Sequence, residues 1–280
     1  MRTGRNHTTV NLLDTANWLP LDGLAPGFDA NKAPHSPDLT GRTIAINASN
    51  GSVITHTFTE DRVNWDYDAA DGDPHGDEHG DDSYEAFMVD GGLYFVQFQT
   101  QVRPLDAVSL VLDLKSGRSL TVVTIIDEEN SRGTRVKQLF DAGTIAEVPT
   151  IGPAPVPSRA LIGRRVLWVY SPEHAYEHIY LSPEWYTWQC LAGPEKGLAD
   201  TDENTVYEIR PGIFVFAWRE KVIPCASVTI ADHRNVRSIR SHGALFGLDE
   251  SGEVPTHFTF GAFGRLISTT VHPEEFDPAR

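Results

Sequence analysis

Apolar and polar residues alternate with a period of two through Gly212–Pro224, which places Phe214, Phe216, Trp218 and Glu220 on one face and Ile213, Val215, Ala217 and Arg219 on the other. That period, with aromatic and β-branched residues, predicts a β-strand. Gly92–Pro104 repeats the pattern. Three further echoes precede the twin strands, and one follows. The segment from Leu39 through Gly41 to Ile46 is answered by Leu161 through Gly163 to Trp168. His56–Trp65 is answered by His178–Trp185, and Tyr84-Glu85 by Tyr207-Glu208, each after an acidic stretch (71–82 and 193–204). Val108–Arg118 is answered by Ser227–Arg237.

Echoes in one order at a nearly constant separation mark an internal duplication. Many short strands between turns, with almost no helical period, predict an antiparallel sandwich or up-and-down barrel. Closure removes exposed sheet edges, and about eight strands leave room inside for side chains and one small ligand. The expected organisation is an irregular leader (1–38) packed over the body, a first barrel (39–148), a linker (149–160), a second barrel (161–270) and a solvated tail (271–280). The prolines of Val148–Ser158 favour an extended spacer.

The net charge of −16 argues against nucleic-acid or anionic-membrane partners, because phosphate binding needs clustered Lys and Arg. The first ten residues hold no apolar run, and no stretch approaches the length of a membrane span, so a cytoplasmic location is expected. Cys190 and Cys225 read as core residues. Homo-oligomerisation is compatible with the sequence.

The Leu161-Ile-Gly-Arg start, the Trp185/Trp188 strand, Tyr207-Glu208, the run Pro211–Lys221 and the segment Asp232–Arg237 resemble the C-terminal domain of the MoaF family. The first half resembles its N-terminal domain, so the resemblance spans about Leu39 to Ile267. It implies an all-β fold of two tandem lipocalin-like antiparallel β-barrels, grouped with calycins that include phenolic acid decarboxylases. The family is named after molybdenum cofactor biosynthesis, yet no Gly-rich phosphate loop is present, so that function is not adopted.

Glu220 among Phe214, Phe216 and Trp218 is the leading catalytic candidate. Desolvation there favours the protonated carboxyl unless Arg237 compensates, and such a group serves acid/base chemistry near neutrality. Tyr207 is the candidate to orient a substrate oxygen. Trp188, His178, Arg237 and Tyr84 complete the expected ligand-binding set. Thr100 stands where the second half has Glu220, and Tyr84 aligns with Tyr207. The alternative reading of Glu220 is a structural ion pair at a barrel rim. His75 and His79 lack a helix to bring them together, so 71–82 reads as a solvated loop with no metal. His56 and His178, at equivalent strand positions, read more readily as packed residues donating to backbone carbonyls than as catalysts.

The function expected is binding of a small, mostly apolar or aromatic metabolite, with cofactor-free decarboxylation, isomerisation, dehydration or cyclisation as its chemistry. A carrier or sensor, and a scaffold with filled barrels, are the alternatives. Cavity volume separates the scaffold from the rest.

Overall fold

The computed structural model describes residues 18–127 and 134–280. Residues 1–17, which include the N-terminus read above for a signal and the start of the expected leader, lie outside the described residues. The first barrel is built from β1 (Thr43–Asn47), β2 (Val53–Phe58), β3 (Arg62–Asp68), β4 (Glu78–Asp90), β5 (Leu93–Gln99), β6 (Asp106–Asp113), β7 (Arg118–Ile126) and β8 (Val136–Ile145). Each strand pairs antiparallel with the next, and β8 returns to β1 to close the sheet.

A two-residue strand, β9 (Val156–Pro157), follows in the linker and pairs with Tyr207 and Glu208. The end of the proline-rich spacer is thus tied to the second barrel as a strand. The meander then repeats as β10 (Arg164–Val169), β11 (Ala175–Tyr180), β12 (Trp185–Ala192), β13 (Ala199–Arg210), β14 (Ile213–Arg219), β15 (Cys225–Asp232), β16 (Ile239–Leu248) and β17 (Pro255–Thr269). Pairing of β10 with β17 and of β12 with β13 completes the second ring. The twin hairpins β4–β5 and β13–β14 turn through Gly92 (φ 72°) and Gly212 (φ 79°), a left-handed conformation that glycine adopts without steric cost. Among the described residues no helix is long and apolar enough to cross a membrane.

The alternation on the twin strands serves two different burials. Tyr94, Val96 and Phe98 point into the first barrel, as Phe214 and Phe216 point into the second. The opposite faces, Leu93 and Phe95 on β5 and Ile213, Val215 and Ala217 on β14, pack against each other across the barrel–barrel interface. Arg210 locks this junction. Its Nε and Nη2 bind both oxygens of Asp113 at 2.8 and 2.6 Å, and Nη1 reaches Asp90 at 2.7 Å.

The two copies are in register, but not everywhere in the alignment expected from sequence. His56 faces Trp65 across β2–β3, and His178 faces Trp188 across β11–β12. Each indole Nε1 donates to an aspartate on the next strand, Trp65 to Asp82 at 2.8 Å and Trp188 to Asp202 at 2.7 Å. Gly80 lies opposite Trp65, where an added Cβ would sit 2.5 Å from the indole, so glycine is what lets the ring lie flat on β4. Trp188, not Trp185, is thus the counterpart of Trp65. The acidic stretches are also shorter loops than expected, because β4 begins at Glu78 and β13 at Ala199.

The connection before β4 (69–77) is longer than that before β13 (193–198), and this shifts the alignment of the next strands. Tyr84 faces Phe98, whereas Asn204 faces Trp218. Tyr84 therefore corresponds to Asn204 and not to Tyr207.

Candidate functional site

Ligand space and the carboxyl pair lie in different barrels. At the end of the first barrel formed by the β1–β2, β3–β4 and β5–β6 turns, a cavity of about 540 Å³ opens. This lies within the roughly 300–1,000 Å³ range of small-molecule sites. Its walls are Ile54, Trp65, Phe98, Leu110, Val123 and Ile125, and its rim carries Asn50, Tyr67, His75, Glu78, Arg103, Asp106 and Asp141.

Arg103 bridges two of the rim carboxylates, Glu78 at 3.0 Å and Asp106 at 3.0 Å. Asp106 is the most buried of these acids, and desolvation outweighs the Arg103 charge to hold its carboxyl above the usual range. Asp141 is held by the Ser49 hydroxyl. Below the rim, burial keeps His56 neutral by lowering its pKa to about 4, against backbone hydrogen bonds that favour the charged ring. The rim thus carries more carboxylates than cations, and it repels polyanions.

The second barrel retains only about 60 Å³ at the equivalent end, and about 10 Å³ deeper inside. The strand registers explain the difference. Tyr176, Phe216, Trp218, Leu245 and Phe260 stand where the first barrel has Ile54, Val96, Phe98, Val123 and Asp141. Every exchange enlarges the apolar side chain or replaces a polar one. Phe214 lines only the deeper void, beside His233, and the Arg164 guanidinium lies 6.0 Å from its ring centroid.

Glu220 lies at the mouth of this second barrel, with Trp218, Trp188 and His178 lining the same small space. Its Oε1 accepts from the backbone N–H groups of Lys221 and Val222 at 2.8 and 2.9 Å. Burial, reinforced by the Asp202 charge, pushes Glu220 well above the usual carboxylate range. Burial thus favours its protonated form, with the Asp202 carboxyl close by and raised as well, chiefly by its own burial. Burial drives the His178 ring to about 3, so it is neutral.

Asp200, Asp202 and Glu220 bring carboxylate oxygens within 4.8 Å of one another, the one such cluster of metal-type ligands among the described residues. Lys221 places its Nζ at 2.5 Å from Asp200 and 3.4 Å from Asp202, so an ammonium already takes the place a cation would fill. His75 and His79 belong to no group of three or more such ligands among the described residues.

Three expected site residues lie elsewhere. Tyr207 points out of the barrel and stacks on Phe140 of the first barrel, ring centroids 5.2 Å apart. Its neighbour Val206 takes the inward position, as strand alternation requires. Arg237 is exposed in the β15–β16 turn, at the opposite end of the barrel from Glu220. Tyr84 is buried below the first cavity, donating its hydroxyl to Thr59 O at 3.0 Å. The rim of the first barrel, above all Arg103 and Asp106, was missed. Its residues are scattered over three connections and share no motif, so only their convergence reveals them.

Tyr207→Phe is expected to change stability by less than about 0.5 kcal/mol and to leave ligand affinity unaltered, as titration and thermal melts would report. For Glu220 the sign runs the other way from an ordinary paired acid. Its folded pKa is raised, so stability falls as pH climbs from the unfolded value through the folded one. Glu220→Gln does not titrate, so its stability relative to the parent is expected to rise with pH across that window, by about 1.4 kcal/mol per unit. Urea melts near pH ~4 and ~7.5 test this, and a difference independent of pH would contradict the neutral carboxyl.

Residues 16–128 match the MoaF N-terminal domain, and residues 155–270 the MoaF C-terminal domain. Over 193 residues the chain is 33% identical to Protein MoaF of Klebsiella aerogenes, covering 65% of this chain and 72% of that protein. Among solved structures, a protein with unknown function from the DUF3598 family of Nostoc punctiforme aligns at 11% identity over 80% of this chain and 93% of its own, with a TM-score of 0.34. A putative beta-lactamase from Burkholderia vietnamiensis aligns at 15% over 38% and 95%, with a TM-score of 0.31. Likenesses at those scores carry no argument.

Proposed function

The chain belongs to the MoaF family, and from that starting point we propose that its N-terminal barrel binds a small, mostly apolar or aromatic molecule with a neutral or cationic polar end. The observation that carries this reading is the cavity of about 540 Å³, apolar within and polar at its rim. The acidic rim favours such ligands over phosphorylated ones, and the two free, buried cysteines suit a reducing cytoplasm.

Proton-transfer catalysis at the same cavity is the second reading, favoured by Asp106. Its carboxyl is partly desolvated, lines the cavity and is oriented by Arg103. A carboxyl raised toward neutrality can pass a proton to and from a bound substrate without a cofactor.

Titration with 2-naphthol, a neutral two-ring probe, tests the binding reading. A site in the first barrel with Kd of about 1–100 μM is expected, read as a shift of the Trp65 resonance in chain labelled with 5-fluorotryptophan. No response up to about 1 mM would reject it. Asp106→Asn separates the two readings, because a carrier keeps its affinity and an enzyme keeps affinity while losing turnover.

A further inference from the structure

The ends of the two barrels formed by equivalent turns differ in one respect beyond side-chain size. In the first copy that end is open. In the second it is covered by the chain's own residues 18–30, which include the short helix α1 (Leu21–Leu24).

This strap behaves chemically as a bound molecule. Trp18 lays its ring edge-on to Trp188, centroids 5.4 Å apart, and Phe28 stacks on Tyr170 at 4.2 Å. The Leu19 N–H faces the buried carboxyl of Glu195, which receives the Tyr176 hydroxyl at 2.8 Å. Aromatic rings plus one hydrogen-bond donor on a buried acid are what a small-molecule site requires of its ligand.

Its attachment is uneven. Asn31 is fixed firmly, with its N–H on Tyr170 O at 3.1 Å, its Nδ2 on Val169 O at 3.0 Å, and its carbonyl receiving Arg240 Nη2 at 2.7 Å. Before Asn31, the one hydrogen bond to the barrel among the described residues is Glu250 N to Asp22 Oδ1 at 3.2 Å. Apolar contact holds the remainder. Asn31 is therefore a natural hinge, and swinging the strap outward would add the space of Trp18, Leu24 and Phe28 to the 60 Å³ already present beside Glu220 and Cys225.

We propose that the C-terminal barrel carries a second ligand site, occupied in this state by the strap, and that it takes an aromatic molecule bearing an N–H or O–H donor. The ring replaces Trp18 or Phe28, and the donor meets the buried Glu195 that lines the same space. Anionic ligands are disfavoured by Glu195, Asp202 and Asp200. This site stands whether or not the N-terminal cavity is filled.

Fluorine NMR of chain labelled with 5-fluorotryptophan reads the two barrels separately, Trp65 reporting the first and Trp188 and Trp218 the second. On titration with 2-naphthol, Phe28→Ala is expected to shift Trp188 and Trp218 at a concentration about tenfold lower than the parent requires. A chain carrying Asp22→Cys and Glu250→Cys, oxidised to pin the strap, is expected to lose that response while Trp65 still responds as in the parent, and reduction should restore it. Silence of Trp188 and Trp218 in both the parent and a folded Phe28→Ala overturns the proposal. Should Phe28→Ala fail to fold, the pinned chain decides alone: a response only when reduced supports the site, and a response in both states or in neither overturns it.

Discussion

Val123→Trp is expected to abolish ligand binding by the N-terminal barrel, with a loss of affinity of at least about 100-fold, while the chain stays folded. Val123 lies on β7 with its side chain on the cavity wall, whereas its neighbours Leu120 and Val122 face the junction between barrels. An indole grown from this position enters empty space rather than a packed core, so the usual penalty for overpacking does not apply. Burying the added apolar surface is worth about 1–2 kcal/mol, so the melting temperature should hold or rise. The second barrel already contains the natural version of this change, with Leu245 at the equivalent position. Calorimetric titration beside a thermal melt gives the answer. Unaltered affinity in a folded Val123→Trp chain would place the ligand elsewhere.

Arg210→Ala should cost about 3 kcal/mol, the largest stability loss expected of one surface-proximal substitution here. The guanidinium is 17% exposed and the Asp113 carboxylate 4%, so removing the arginine leaves a buried charge without its two-pronged partner. For a domain pair of this size, each kcal/mol corresponds to a fall in Tm of about 2–4 °C. Arg210→Lys should recover only part of the loss, because an ammonium cannot bind both Asp113 oxygens and reach Asp90 with a fork. The pH dependence has a definite sign. Burial raises the Asp113 carboxyl, but hydrogen bonds from Arg210 and Ser116 more than offset it, and the net shift is downward. A depressed folded pKa contributes stability above the unfolded value and loses it as pH falls through the folded one. The gap between parent and Arg210→Ala should therefore narrow below about pH 4 in urea melts. A gap that stays constant into acid would show that Asp113 is not the group concerned.

Much of this was legible in the alternation of the twin strands. Period two fixed β5 and β14, and the repeated order of echoes fixed two like sheets. The aromatic row also placed Phe216, Trp218 and Glu220 on one side correctly relative to one another. Tyr207 shows where the reading failed. A connection a few residues longer before β4 shifted the alignment, and an odd shift on a strand moves a side chain from the interior to the outside. The second apolar face of β14 was visible as well, but nothing local told a barrel–barrel junction from a barrel lining.

The location of the hollow was hidden for a different reason. It depends on the summed volume of side chains contributed by many strands, so no single stretch carries the signal. Ile54 against Tyr176, Val96 against Phe216 and Asp141 against Phe260 become meaningful only when the sheet registers set them side by side.

One wall, made by β4 to β7 of one ring and β14 to β15 of the other, belongs to both. The packed ring thus acts as ballast for its hollow neighbour. Ile54 and Val123 line the void away from that wall, so exchanges there reshape what is captured while leaving the shared wall untouched.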